Sequence, residues 1–449
     1  MIRRHILSAA AVCTLALAAP AMAQDAVAIT GGRVLTGSGE IASGTVVIQN
    51  GRISAVGPNV AVPSGARVID AAGKVVTPGI VAVDSGIGGS EVSSVQGSND
   101  LRQSSNSLSA AFDVSRGLDP WSITIPVARL GGVTRAVVLP QHGGSSSGHV
   151  HEHDTAGAGP GGYHTPGLFA GQAAVVHLAR GTDILVRPNV AMVAPFGEAG
   201  ARIAGGARGA EFTLFRETLA EVRLYARNRQ AYERAGLRDL SLSRADLEAL
   251  IPVAEGRMPL VVTVHRAADI LQVLRLAEEE NIRLILDGAE EGWLVAEQIA
   301  AARVPVLVNP LNNLPANFQV RAARQENAAR LHAAGVTIAI KPGGSAHRAR
   351  DARYNAGNAV ANGLPFEAAV AAITVNPARI FGQDGFGALA VGQAADVVVW
   401  SGDLLEPLSQ PEAVFIGGVE QPLQARNLEL RDRYHPGRDR SRPEAYSPR

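Results

Sequence analysis

The stretch Val76-Thr77-Pro78-Gly79-Ile80-Val81-Ala82-Val83-Asp84 joins two kinds of chain. Its Thr-Pro-Gly turn closes what precedes it, and the short apolar run that follows is a buried-strand pattern ending on a carboxylate. Upstream, residues 27–76 are short β-like runs broken by Gly-Gly, Asn-Gly and Pro-Ser-Gly turns, with Gln49-Asn50-Gly51-Arg52 the clearest hairpin signal. That half is a small all-β unit. Downstream, apolar runs alternate with helical patterns as repeated βα units do.

The runs are residues 80–84, 135–140, 173–178, 189–196, 259–265, 283–288, 304–310 and 336–342. Eight of them predict a closed (β/α)₈ TIM barrel. Residues 268–280 and 291–301 carry apolar side chains at three- and four-residue spacing, and 321–334 do so less regularly. The same alternation fits a doubly wound open sheet, but no GxGxxG turn follows the early strands to favour one. Beyond the barrel, Ala395-Asp396-Val397-Val398-Val399-Trp400 and Ala413-Val414-Phe415-Ile416-Gly417-Gly418 are β-like again. They predict a return to the first unit, which makes a discontinuous β-sandwich. The division is then a signal peptide over 1–23, a sandwich over 24–77 and 383–430, a barrel over 78–382 and a flexible tail over 431–449.

With 449 residues, 46% hydrophobic and 18% charged, the chain has ample material for a large buried core. Its formal net charge of +0 gives no sign of a nucleic-acid or anionic-membrane partner and suits a small-molecule ligand. At the start, Arg3 and Arg4 precede an apolar run and Ala21-Met22-Ala23, the pattern of a secretory signal cut after Ala23. The expected product is exported, periplasmic where there is an outer membrane, and free of the membrane after cleavage. The one cysteine, Cys13, lies inside that signal, so any metal in the mature chain must be held by nitrogen and oxygen.

Two stretches break the βα rhythm. Residues 142–167 are rich in Gly, Ser and His, with His149, His151 and His153 at alternate positions and Glu152, Asp154 and His164 nearby. This reads as a surface loop after the second barrel strand, either solvated or gathering zinc, copper or nickel with little geometric precision. The other is the tail, residues 431–449, full of Arg, Pro and Asp. Separately, in residues 91–108 after the first strand, Glu91, Gln96, Asn99, Asp100 and Arg102 form a polar loop or line the barrel mouth.

The order of parts resembles the amidohydrolase superfamily. A sandwich, a Thr-Pro-Gly turn and a first barrel strand open such chains. Ala372-Ile373-Thr374-Val375-Asn376-Pro377-Ala378-Arg379 looks like the helix that closes their barrel, and Gly387-Ala388-Leu389 with Gly392 and Ala395-Asp396-Val397 looks like the return to the sandwich. The resemblance runs from about Ala26 to Val419 and is closest to the imidazolonepropionase-like branch. It implies one or two divalent metals, such as zinc, at the C-terminal end of the barrel, activating water for attack on an amide, lactam or similar carbon. His265, closing the fifth run, matches a family ligand. The other family positions depart from the pattern. Asp84-Ser85-Gly86 stands where His-x-His is expected, Asp287 replaces the strand-six histidine, and Lys341-Pro342-Gly343 stands where the strand-eight aspartate is expected. The lysines are Lys74 and Lys341, so the fourth strand carries none to bridge two metals.

These departures leave Asp84, Asp287 and Lys341 as candidate catalytic groups, with His265 the family-matched metal ligand and His149, His151 and His153 an alternative loop site. One expectation is that the Lys341 ammonium takes the metal's place and pairs with Asp84 or Asp287. Three functions stay open. The resemblance implies a hydrolase of carbon–nitrogen bonds other than peptide bonds. A non-catalytic relative would use the barrel pocket for binding or pair with an intact paralogous chain, and the histidine loop would serve a metal-sequestering protein.

Overall fold

The computed structural model describes residues 26–92, 95, 97–103, 108–142 and 167–435. The N-terminal signal pattern with Cys13, the loop histidines His149, His151 and His153, Gln96 and the tail beyond residue 435 lie outside the described residues. Among the described residues, no helix is long and apolar enough to cross a membrane.

Asn50 and Gly51 both adopt positive φ, 51° and 74°, so the hairpin between Glu40–Gln49 and Arg52–Gly57 turns where the Asn-Gly pair asks it to. This hairpin, Val27–Leu35, Arg67–Asp70 and Val75–Pro78 join Val397–Trp400, Pro411–Ile416 and Val419–Glu420 in one eight-stranded sheet. A continuous sheet is a correction to the expected two-sheet sandwich, and its cause lies at Gly32. Val27–Leu35 pairs in parallel with Arg67–Asp70 along its first half and with Val75–Pro78 along its second, and register shifts flank Gly32. A Cβ on Gly32 would lie 2.9 Å from Val76 Cγ2 and 3.0 Å from Ala71 Cβ, so a larger residue would have to displace its neighbours at the bend. The curled sheet encloses Ile29, Val46, Ile48, Ile53, Val397 and Phe415.

The barrel strands are Ile80–Val83, Val133–Val138, Ala174–His177, Met192–Pro195, Leu260–Val264, Leu284–Gly288, Val306–Val308 and Ile338–Ile340. Each falls on one of the eight apolar runs, but two features of the expected barrel need correcting. The third strand runs antiparallel to the second, and Gly171–Gln172 just before it pairs antiparallel with the fourth. Parallel neighbours need a crossover helix. After the third strand the chain makes only a hairpin with Leu185–Arg187 before entering the fourth. The second correction is that, among the described residues, no hydrogen-bonded ladder joins the first strand to the last.

The strands nonetheless wrap one interior. Val81, Val83, Val137, Val175, Val193, Val261, Ile285, Leu307 and Ala339 form a single buried cluster with side chains from all eight strands. Helices Ala352–Ala361, Phe366–Ile373 and Val375–Ile380 pack across the seam between first and last strands. The expected flexible tail also needs correction at its start, since Arg426–Tyr434 is a helix with Glu429 in its first turn and Arg431 and Arg433 in its last. Glu429 near its start and the two arginines near its end suit the helix dipole.

Candidate functional site

Side chains two residues apart on a strand share a face. One step beyond the apolar interior layer toward the C-terminal mouth, Val261 is followed by Thr263 and His265, Ile285 by Asp287, Leu307 by Asn309, and Ala339 by Lys341. The mouth is therefore polar because the strand alternation continues past the apolar layer. Asp84 closes the first strand with φ 51°, a left-handed conformation uncommon for a residue with a side chain.

Lys341 Nζ lies 2.6 Å from Asp84 Oδ2 and 2.5 Å from Asp287 Oδ1, and its side chain is 13% exposed. The bridge to Asp84 spans the seam that backbone hydrogen bonds leave open. Thr263 Oγ1 donates to Asp287 Oδ2 at 3.0 Å, and Asn355 Nδ2 donates to the Lys341 carbonyl at 2.8 Å. Burial disfavours the Lys341 ammonium, but the charges and bonds of Asp287 and Asp84 outweigh it and hold its pKa above the ordinary lysine value. Burial pushes the Asp84 carboxyl up against the pull of Lys341, and the Asp287 charge adds to the rise.

Beside this trio stands a second pair. His265 Nδ1 is 2.5 Å from Glu290 Oε2, and Glu290 Oε1 accepts from Asn312 Nδ2 at 3.1 Å. Burial alone would lower the imidazole pKa, yet the bond to Glu290 and the Glu290 and Asp287 charges hold it above the ordinary histidine value. Burial likewise pushes Glu290 up, and the bond and charge of His265 with the Asn312 amide bring it below the usual carboxylate range. The two pairs belong to one polar rim, because Asn309 links toward both Asn312 and Asn355 at 3.4 Å.

Asp84, Asp287 and Lys341 are thus together, with His265 on the neighbouring strand and bonded to Glu290. Glu290 and the asparagines were not singled out in the sequence, although Asp287-Gly288-Ala289-Glu290-Glu291 puts an acidic pair just past a strand end. The two acids have different jobs. Glu291 accepts from the backbone N–H groups of Ala267 and Ala322, both at 3.0 Å, and so ties down the helix Ala267–Glu279. Glu290 meets the imidazole. Residues 97–103 lie at the mouth, since Gln141 N, just past the second strand, donates to the Leu101 carbonyl at 2.7 Å.

Gly288 makes the His265–Glu290 contact possible. Its φ is 91°, and a Cβ there would sit 2.7 Å from His265 Nδ1 and 3.1 Å from Glu290 Oε2. Gly288→Ala is expected to cost about 1–3 kcal/mol of stability through backbone strain and to push the imidazole off its partner. Urea unfolding of the variant, with the His265 shift followed by NMR, checks both. A stability within error of the parent and an unmoved His265 resonance would show that the close approach is not needed.

The amidohydrolase family model matches residues 259–421, the span that carries His265, Asp287, Glu290 and Lys341. A curated relative, Amidohydrolase tasK of Hapsidospora irregularis, is 24% identical over 402 residues, covering 84% of this chain and 40% of the relative. The chain therefore spans about two fifths of that relative's length. Among solved structures, an amidohydrolase from Thermotoga maritima superposes with a TM-score of 0.73 at 24% identity, covering 88% of this chain and 99% of that one. A molinate hydrolase superposes with a TM-score of 0.52 at 18% identity over 95% and 98% of the two chains. These structural likenesses show the fold, an α/β architecture of the TIM-barrel type.

The resemblance read in the sequence leads to the expectation of a divalent metal at the mouth, and the side chains present there do not fit one. A catalytic zinc takes three protein ligands. Here the two converging carboxylate oxygens, Asp84 Oδ2 and Asp287 Oδ1, are both engaged by an ammonium at ion-pair distance. Among the described residues, no group of three His, Cys, Asp or Glu side chains is placed to hold a metal ion.

Proposed function

We propose that this chain, which belongs to the amidohydrolase superfamily, hydrolyses carbon–nitrogen bonds other than peptide bonds through its own side chains at the barrel mouth. The observation that carries the reading is the 2.5 Å contact between His265 Nδ1 and Glu290 Oε2 beside the buried Lys341 ammonium. With its Nδ1–H directed at a carboxylate, a neutral imidazole keeps its lone pair on Nε2 and becomes a general base. His265 takes a proton from the attacking water as the new C–O bond forms. The Lys341 charge, fixed by Asp84 and Asp287, favours the negative charge that grows on the carbonyl oxygen. The imidazolium then returns its proton to the leaving nitrogen as the C–N bond breaks. Glu290 acts through His265 as a positioning residue.

The test uses chelator-treated protein against a panel of lactams, N-acyl amino acids and carbamates. His265→Ala is expected to lower kcat/KM by about 10²–10⁴-fold, the usual worth of a positioned general base. Glu290→Gln should lower kcat more than it changes KM. An activity that survives His265→Ala, or that appears only on adding a divalent metal, would overturn the reading. A folded protein inert to the whole panel would instead favour a non-catalytic relative that binds a ligand in the pocket or an intact paralogous chain.

A further inference from the structure

Of the 41 basic residues in the chain, only two are lysines. Everywhere else in the barrel the cation is a guanidinium, which is planar, broad and able to bind a carboxylate with two parallel bonds. Among the described residues, Lys341 is the cation on which two carboxylates from different strands close, 2.6 and 2.5 Å away. An ammonium is a compact charge with three donors and fits that point, whereas a guanidinium would force the carboxylates apart.

We infer that Lys341 is a tethered cation doing the structural work of a divalent ion, and that its removal turns the Asp84–Asp287 pair into a metal-binding site. The inference rests on the same reading of the mouth as the proposed hydrolase, but its test reads metal and stability, not turnover. The backbone of Asp84 and the side chain of Asp287 are held independently of the lysine. Asp84 terminates the first strand in its left-handed conformation, and Asp287 is bonded by Thr263 and lies in the ladder between the fifth and sixth strands. Without the ammonium, two anions would face each other in a site where burial already pushes Asp84 up. Like charges so placed are relieved by protonation or by a cation, and carboxylate oxygens at short range suit hard divalent ions.

The experiment compares the full-length protein with Lys341→Met, a substitution of similar length without charge. Metal content after desalting and thermal midpoints are measured in EDTA and with added Mn²⁺ or Zn²⁺. The unsubstituted chain is expected to retain no divalent metal and to melt at the same temperature in every buffer. Lys341→Met should melt about 4–6 °C lower in EDTA, as breaking a buried ion pair in a domain of this size implies. It should regain most of that loss with Mn²⁺ or Zn²⁺ and retain close to one equivalent of metal. Adding Asp287→Asn to Lys341→Met should abolish both the retention and the rescue, which separates this site from incidental binding elsewhere. Where Lys341→Met does not accumulate, Lys341→Gln is read the same way, since its amide donates to a carboxylate without supplying charge. Stoichiometric metal on the unsubstituted chain, or a lysine-free variant indifferent to metal in both retention and melting, overturns the inference. Loss of hydrolysis alone bears on the proposed function and leaves this result unchanged.

Discussion

Replacing Asp396 by alanine is expected to destabilise the protein by about 3–5 kcal/mol, the usual cost of leaving one charge of a buried ion pair without its partner. Asp396 is 3% exposed and stands where the chain leaves the barrel and returns to the sheet. Its Oδ2 is 2.5 Å from Arg135 Nε on the second barrel strand, and its Oδ1 accepts from Gly417 N at 2.8 Å. Its carbonyl also accepts from Gly79 N at 3.0 Å, in the turn that begins the first barrel strand. One residue thus holds the sheet, the first strand and the second strand together at the N-terminal end of the barrel, away from the mouth. The Arg135 guanidinium stacks over the Phe386 ring 4.2 Å from its centroid, so it stays buried when the carboxylate is lost. Urea unfolding measures the loss. Arg135→Met combined with Asp396→Leu should recover most of it, because the pair is then replaced by apolar volume and no buried charge is left over. A single-variant loss under about 1 kcal/mol would mean that water reaches Arg135 and that the link is ornamental.

The contrast between the two ends of the barrel explains what the sequence could tell. The strands were legible because burial on both faces demands continuous apolar runs, and all eight runs became strands. Strand direction was not legible, because Ala174–His177 has the same composition whichever way it runs. Its direction is fixed by the connections on either side, and only the hairpin with Leu185–Arg187 shows that no helix intervenes. Asp84, Asp287 and Lys341 could be found by their positions just past apolar runs, and the period-two alternation places Asp287 and Lys341 on the inner face, whereas Asp84 follows the inward Val83 and leaves the alternation at φ 51°. Glu290 is different. It sits after the strand has ended, and it reaches His265 only because Gly288 turns the chain at a φ no ordinary residue favours. A glycine after a strand has many uses, so its sequence signal is weak even though its structural role is specific. The bend at Gly32 escaped for the same reason, and with it the single continuous sheet.

Stability should fall as pH rises from about 5 to 8.5, and Glu211→Gln should abolish a large part of that fall. Glu211 lies in the first turn of the helix Arg208–Arg227 and is 0% exposed. Its Oε2 accepts from Gly197 N at 3.2 Å, while its Oε1 is buried with no hydrogen-bond partner. Gly200 packs so closely that a Cβ there would overlap that oxygen at 1.8 Å. Burial pushes the carboxyl up to about 8. The Gly197 bond opposes the rise, Asp269 adds to it and Arg208 offsets part of it. The folded protein therefore keeps this proton over a range where the unfolded chain, titrating near the ordinary 4.5, has released it. Its contribution is fully present below the unfolded pKa and is lost as pH climbs through the folded one. The full shift would be worth more, but relaxation and water entry around a partly screened carboxyl reduce the expected loss to about 2–3 kcal/mol. The amide introduced by Glu211→Gln has no proton to release, so urea midpoints of that variant should stay nearly level across the window and exceed the parent's at pH 8.5. At pH 4 the two proteins should differ little. Curves that run parallel from pH 4 to 8.5 would mean that Glu211 is ionised in the folded protein, with Arg208 as its effective counter-charge in place of a retained proton.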